Sequence, residues 1–260
     1  MELGLKGKAA VITGGSKGIG YETAVQLVQE GAHVAICARD EEALKAAAER
    51  IFERTGQEVF YAAADVTREE DCKRFVTEAA QRFGRLDIVV NNAGTSAAKP
   101  FEQVGAAAWQ QDLDLKLFGA IHVSNAALPY LRQAGGGAIV NVTASIAKTP
   151  PASSLPTTVS RAAGMALTKA MSKDLGPDNI RVNTVCIGLI RSDQIEKGWQ
   201  ATAPEKSWEE YSRDPRHGVP LGRIGGTEEA ARVITFLVSD AASYVTGTSV
   251  NIDGGKAGAL

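Results

Sequence analysis

Val11-Ile12-Thr13-Gly14-Gly15-Ser16-Lys17-Gly18-Ile19-Gly20 is an apolar, β-branched run that passes through a glycine-rich loop into a segment of helical period. Glycines in such a loop let backbone N–H groups approach a pyrophosphate closely, and the positive end of the following helix favours its charge. The spacing is Gly-x-x-x-Gly-x-Gly, which differs from the more widespread Gly-x-Gly-x-x-Gly pattern. A tight turn alone would also use these glycines. Their place between a strand and a helix, at the head of an alternating pattern, favours the phosphate loop.

Outward from this loop, short runs rich in Val and Ile occupy 9–13, 33–38, 58–63, 86–90, 138–142, 181–186 and 249–252. Between them, helical periods run over 19–30, 41–54, 68–83, 106–131, 157–175 and 227–238. Strands that alternate with helices predict a parallel sheet covered on both faces, and the scarcity of polar alternation within the runs agrees with burial on both sides. Gly and Pro clusters fall at element ends and nothing reads as a linker, so one domain over 1–260 is expected. The interval 191–223 carries Trp199, Trp208, Tyr211, Pro215 and His217 without a clear pattern. A loop that long in a compact domain suggests a cover over a substrate. Its aromatics suit an apolar or ring-shaped ligand, or they pack the loop onto the body.

Composition narrows the function. The chain has 260 residues, 44% hydrophobic and 22% charged, with 28 basic against 30 acidic side chains. Near-neutral charge without a basic run speaks against nucleic acid, and no stretch has the length and apolarity of a membrane span, so a small-molecule ligand is expected. Cys37, Cys72 and Cys186 lack metal-ligand spacing, so no metal site is expected and the thiols read as buried or incidental, as in a reducing cytoplasm. The segment 1–10 has no basic flank followed by an apolar stretch, which speaks against secretion.

The chain resembles the short-chain dehydrogenase/reductase family, in particular the branch of 3-oxoacyl-carrier-protein reductases. Beyond 13–20 the resemblance rests on Asp65-Val66, Asn91-Asn92-Ala93-Gly94, Ile180-Arg181-Val182-Asn183, Gly222-Arg223-Ile224-Gly225 and the tail from Tyr244 to Gly255. It implies a single Rossmann-type, three-layer α/β domain with a seven-stranded parallel sheet. It also implies a nicotinamide cofactor on Gly14, Ser16, Lys17, Gly18, Ile19 and Gly20, with Asp65 and Val66 at the adenine. Asn91, Ala93 and Gly94 would support the central sheet and lie along the adenosine, while Gly188 and Ser192 keep the small and hydroxyl positions after the sixth strand. Asp65 is equally suited to capping the following helix.

Cofactor preference turns on charge beside the adenosine ribose, where a cation suits a 2′-phosphate. Arg39, just after the second strand, and Lys17 favour NADP(H), with NAD(H) as the other possibility; Asp40 fits a helix cap.

The catalytic addresses differ from the family pattern. The resemblance places a Ser at 144, a Tyr at 157, a Lys at 161 and an Asn at 116, but the chain has Ala144, Thr157, Arg161 and Lys116. A Thr hydroxyl is a far poorer acid than a phenol, and Arg stays charged at working pH, so Thr157 is not expected to be the proton donor. Arg161 could still hold the ribose hydroxyls of the cofactor. Lys116, with its pKa lowered by burial and by Arg161, would be a relocated proton donor. Ser145 would bind the carbonyl oxygen, with Lys148 as a further candidate. Alternatively, Lys116 fills a vacated water site or points to solvent. Two functions follow: an NADP(H)-dependent oxidoreductase on a carbonyl or alcohol with a non-standard active site, or a catalytically inactive NADP(H)-binding sensor or partner subunit. A non-redox use of the pocket completes the range.

By resemblance, the segment 106–131 and the helix from Thr157 would build a homotetramer or homodimer. His33 and His122 are expected to be satisfied, buried or half-buried side chains rather than catalytic ones.

Overall fold

A computed structural model describes residues 2–260. Seven parallel strands form one sheet in the order β3-β2-β1-β4-β5-β6-β7. They are β1 Ala9–Thr13, β2 His33–Ala38, β3 Phe60–Ala63, β4 Ile88–Asn91, β5 Gly137–Ala144, β6 Ile180–Ile187 and β7 Ser249–Ile252. The principal helices are α1 Gly18–Gln29, α2 Glu41–Thr55, α3 Glu69–Phe83, α4 Ala106–Leu113, α5 Gly119–Gln133, α6 Thr157–Asp174, α7 Asp193–Thr202, α8 Trp208–Ser212 and α9 Thr227–Val238.

The two-residue period of the strands sorts the core into two layers. Ala10, Ile12, Val34 and Ile36 pack with Leu27 of α1, Leu44 of α2 and Ile234 of α9. Val11, Ala35, Val89 and Ile139 point the other way, onto Phe75 of α3 and Val123 and Leu131 of α5. Burial on both faces explains why the runs show almost no polar alternation. The order reverses between β1 and β4, so their carboxyl ends open the crevice in which such sheets hold ligands.

Several boundaries depart from the sequence expectation, β5 among them, which runs on to Ala144 rather than ending at 142. β3 begins at Phe60 rather than at 58, and β4 covers Ile88–Asn91 rather than 86–90. The segment 106–131 is not one regular helix: a π-helical turn over Asp114–Phe118 separates α4 from α5. Such single turns are frequent at functional sites, and here the turn carries Lys116. The interval 191–223 also contains more order than expected, holding α7, α8 and a 3-10 turn over Pro215–His217.

Local capping follows the sequence in part. The Asp40 carboxylate accepts from Ala43 N–H at 3.0 Å and caps α2 as expected. Asp65 does not cap α3, whose N-cap is Arg68. It closes a turn instead, accepting from the N–H and hydroxyl of Thr67. His33 is exposed and stacks on Phe83, contrary to the expected burial, because it opens β2 at the edge of the core. His122 is half-buried beside the Val66 carbonyl, with Nδ1 at 3.1 Å from that oxygen. All three cysteines are buried and unpaired. Burial pushes the Cys72 thiol up to about 12 and Cys37 higher still, so neither is a thiolate at neutral pH.

Candidate active site

The glycine loop is braced from β4. Thr13 Oγ1 accepts from the backbone N–H groups of Asn92 and Ala93, and Asn92 Nδ2 donates to the carbonyls of Thr13 and Gly14. A Cβ on Gly20 would lie 2.4 Å from the Gly14 oxygen, so this glycine serves packing of the loop against itself. Gly18 differs: it has φ +61° and nothing within 4 Å of where a Cβ would stand. The N-cap of α1 is Lys17, which makes no side-chain cap hydrogen bond, and the first turn holds no acidic residue. Open space, a left-handed glycine and uncapped N–H groups fit a pyrophosphate.

The other expected binding residues sort by what they touch. Ser16 is half-buried in the loop and its carbonyl accepts from Arg50. Arg39 is exposed beside the end of β2 and makes no ion pair among the described residues. Lys17 is paired with Asp193 at the start of α7, tying the loop to the 191–223 segment. Ser192 caps α7, its hydroxyl accepting from Ile195 N–H. Gly188 gives room to Asp253, whose Cβ would be 2.4 Å from an added Cβ. Gly94 gives room to Arg161, whose Nη2 would be 2.5 Å away. Asn91 bonds Ser124 and Asn141 inside the sheet.

The four altered catalytic addresses converge at the ends of β4 and β5. Ala144 ends β5, and Ser145 follows it, buried, with a hydroxyl that has no hydrogen-bond partner among the described residues. Arg161, on the second turn of α6, donates from Nη1 to the Val142 carbonyl at 2.7 Å. Burial pulls its pKa down to about 10, which leaves it cationic at neutral pH. Lys148 donates to the Ser249 carbonyl and is thereby tied to β7.

Lys116 points inward, not to solvent: its side chain is fully buried and ion-paired with Asp112, one helical turn back. Its Nζ donates to Thr157 Oγ1 at 3.1 Å. The same oxygen accepts from Ala97 N–H at 2.9 Å. Ser160 Oγ donates to the other Asp112 oxygen at 2.6 Å. Burial lowers the Lys116 pKa to about 8; the Asp112 hydrogen bond works against this, and the Arg161 charge adds to it. Asp112 and Ser160 escaped the sequence reading. The available signal was the four-residue spacing of Asp112 and Lys116, which puts acid and base on one helix face.

A cleft of about 620 Å³ opens beside the loop, lined by Gly18, Ser192, Asp193, Trp208, Arg223 and Thr227 among others. Trp199, Trp208 and Tyr211 pack against one another, Trp199 edge-on to Trp208 and Tyr211 tilted against both, so these rings hold the segment together. No group of three or more His, Cys, Asp or Glu side chains among the described residues is placed to hold a metal ion.

Comparison with known proteins agrees with this architecture. The sequence model of a family described as enoyl-(acyl carrier protein) reductase matches residues 14–257. The 3-oxoacyl-[acyl-carrier-protein] reductase of Chlamydia muridarum is 34% identical over 253 residues, covering 97% of this chain and 98% of that protein. The L-sorbose reductase of Gluconobacter frateurii, solved with NADPH and L-sorbose, superposes with a TM-score of 0.94 at 33% identity, over 100% of both chains. A short-chain oxidoreductase of Pseudomonas aeruginosa PAO1, solved with NADPH bound and described as containing an atypical catalytic center, gives a TM-score of 0.92 at 35% identity, over 97% of this chain and 98% of that one. The chain belongs to the short-chain dehydrogenase/reductase family.

Proposed function

We propose that this protein is an NADP(H)-dependent oxidoreductase that interconverts a small carbonyl compound and its alcohol, with Lys116 as the source of the proton. The observation that carries this reading is the hydrogen bond from the buried Lys116 Nζ to Thr157 Oγ1 at 3.1 Å. An ammonium of pKa about 8 stands at the family's Asn address and contacts the hydroxyl at the family's Tyr address. A general acid near the working pH is what carbonyl reduction requires, since negative charge develops on the carbonyl oxygen.

The residues present fit the cofactor. Gly14, Ser16, Gly18, Ile19 and Gly20 would receive the pyrophosphate, and Asp65, Val66, Asn91 and Ala93 the adenosine end. Arg39 would pair with a 2′-phosphate; Lys17 would join it by releasing Asp193. Arg161, lodged against Gly94, would donate to the nicotinamide ribose, with Gly188 and Ser192 bordering the ring. When bound, the cofactor supplies the hydride for the carbonyl carbon. Ser145, with its free hydroxyl, would hold the carbonyl oxygen, and α7 and α8 would cover the substrate. Two relatives solved with NADPH support the choice of cofactor. The buried, unpaired thiols suit a reducing compartment such as the cytoplasm. The family resemblance of 106–131 and α6 supports a homotetramer.

Titration of purified protein with NADPH, followed by NADPH consumption across ketones, aldehydes and quinones, tests the reading. Turnover lowered about 100- to 10,000-fold by Lys116→Ala is the expected result. Tight NADPH binding without turnover on any substrate would overturn it in favour of a sensor or partner subunit. That second reading draws on Ala144, which has no hydroxyl to offer a substrate.

A further inference from the structure

Thr157 is a poor acid by itself, yet its hydroxyl has a definite polarity here. An alcohol oxygen accepts through two lone pairs and donates one hydrogen. On Thr157 Oγ1 both lone pairs are taken, by Lys116 Nζ at 3.1 Å and by Ala97 N–H at 2.9 Å. The hydroxyl hydrogen therefore has to point away from both, and no acceptor for it exists among the described residues. Thr157 is 3% exposed, so this hydrogen lies in the interior of the site. A buried donor without an acceptor is costly unless a ligand oxygen takes its place.

Behind Thr157 the chain continues. Lys116 is held by one Asp112 oxygen, and the other accepts from Ser160 Oγ at 2.6 Å. Asp112 lies on α4, Lys116 on the π-helical turn, and Thr157, Ser160 and Arg161 on α6. The charged groups that bear on Lys116 are Asp112, which raises its pKa, and Arg161, which lowers it.

Building on the reductase reading, we propose that Thr157 is a proton relay between Lys116 and the substrate oxygen, and that Asp112, fixed by Ser160, is the positioning residue that keeps Lys116 charged and aimed at it. As the carbonyl carbon accepts a hydride with its electron pair, the C–O π pair moves to oxygen. That oxygen takes the hydrogen of Thr157 Oγ1, whose O–H bond breaks as Oγ1 takes a proton from Lys116 Nζ. The hydride donor is oxidised and the carbonyl reduced. The net proton comes from Lys116, which is left as the amine and recovers its proton from water through the same hydroxyl after product leaves. Thr157 ends as it began, so its own high pKa does not limit the transfer; Lys116 sets the driving force.

The test compares wild type with Thr157→Val, Thr157→Ser, Asp112→Asn and Ser160→Ala, checking each fold by thermal unfolding. Two readouts are taken: NADPH consumption, and the titration of Lys116 followed by NMR of labelled lysine in the unliganded protein. Thr157→Val, which keeps shape and loses the hydroxyl, is expected to lower kcat about 100- to 10,000-fold with little change in KM, the usual contribution of general acid catalysis. Thr157→Ser is expected to restore most of that loss. Asp112→Asn and Ser160→Ala are expected to move the Lys116 titration to lower pH, the first by about one to two units, as loss of a charge-assisted hydrogen bond implies. Turnover that depends on Lys116 but survives Thr157→Val would overturn the relay and leave the reductase reading standing. A Lys116 titration unmoved by Asp112→Asn would overturn the positioning role whether or not any substrate turns over. Absence of turnover with every carbonyl would overturn the relay and the reductase reading together.

Discussion

Replacing Lys116 by Met leaves the buried Asp112 without its ion-pair partner and with the Ser160 hydroxyl as its remaining side-chain hydrogen bond, and breaking a buried pair from one side typically costs about 3–5 kcal/mol. Urea unfolding of Lys116→Met should therefore show a lower midpoint at unchanged m. The double variant Asp112→Leu, Lys116→Met should recover that loss, since apolar replacement of both partners is often neutral or stabilising. A double variant as unstable as the single one would contradict the coupling. Arg39 makes the second prediction at this scale. Arg39→Ala should weaken NADPH binding about 10- to 100-fold, as loss of a charge-assisted hydrogen bond to phosphate implies, while leaving NADH within about threefold. Equal weakening of both cofactors in titration would remove Arg39 from the 2′-phosphate. Lys116, Thr157 and Arg161 were legible as a rebuilt cluster because each stands at a family address. Asp112 was not, because an acid inside a helical period also reads as a solvated face until its burial is known. Lys17 was legible as a cation in the loop, but its pairing with Asp193 joins residues 176 positions apart and leaves no local trace.

Among the elements, the glycine loop is the most constrained. Gly20→Ala would drive a Cβ to 2.4 Å from the Gly14 carbonyl, where backbone rather than a flexible side chain must yield. A cost of about 1–3 kcal/mol in unfolding, together with weaker NADPH binding, is expected from such overpacking; unchanged stability and affinity would show that the loop can relax. The pair between Lys17 and Asp193 is half-exposed and worth no more than about 1 kcal/mol, so Asp193→Asn should leave unfolding nearly unchanged. The strands were readable because burial on both faces writes a continuous apolar run. The π-helical turn over Asp114–Phe118 was not, since Leu115 and Leu117 continue the apolar content and the single Gly119 at its end is also tolerated inside a regular helix. α7 and α8 were missed for a related reason: their aromatics pack mainly within the segment, which blurs the helical period.

For the whole molecule, the parallel sheet, its seven strands and its two helical layers followed from the alternation of strand and helix, whereas the family resemblance was needed for the nicotinamide cofactor. The resemblance also underlies the proposed tetramer. Phe118 on the π-helical turn and Val159 on α6 are large apolar side chains left 42% and 44% exposed, which suits helix faces covered by other copies. Light scattering should give the mass of four chains, and the mass of one would contradict the tetramer. The central claim, that Lys116 supplies the proton, is tested most directly by the pH dependence of kcat/KM for NADPH-driven carbonyl reduction, which reports the free enzyme. Lys116 must be protonated to act, and its pKa is lowered from 10.5 to about 8. The rate should therefore be level below about pH 8 and fall as pH rises beyond it, and Lys116→Ala should be about 100- to 10,000-fold slower without that limb. A rate that rises through pH 8, or one that Lys116→Ala leaves unchanged, would contradict the account.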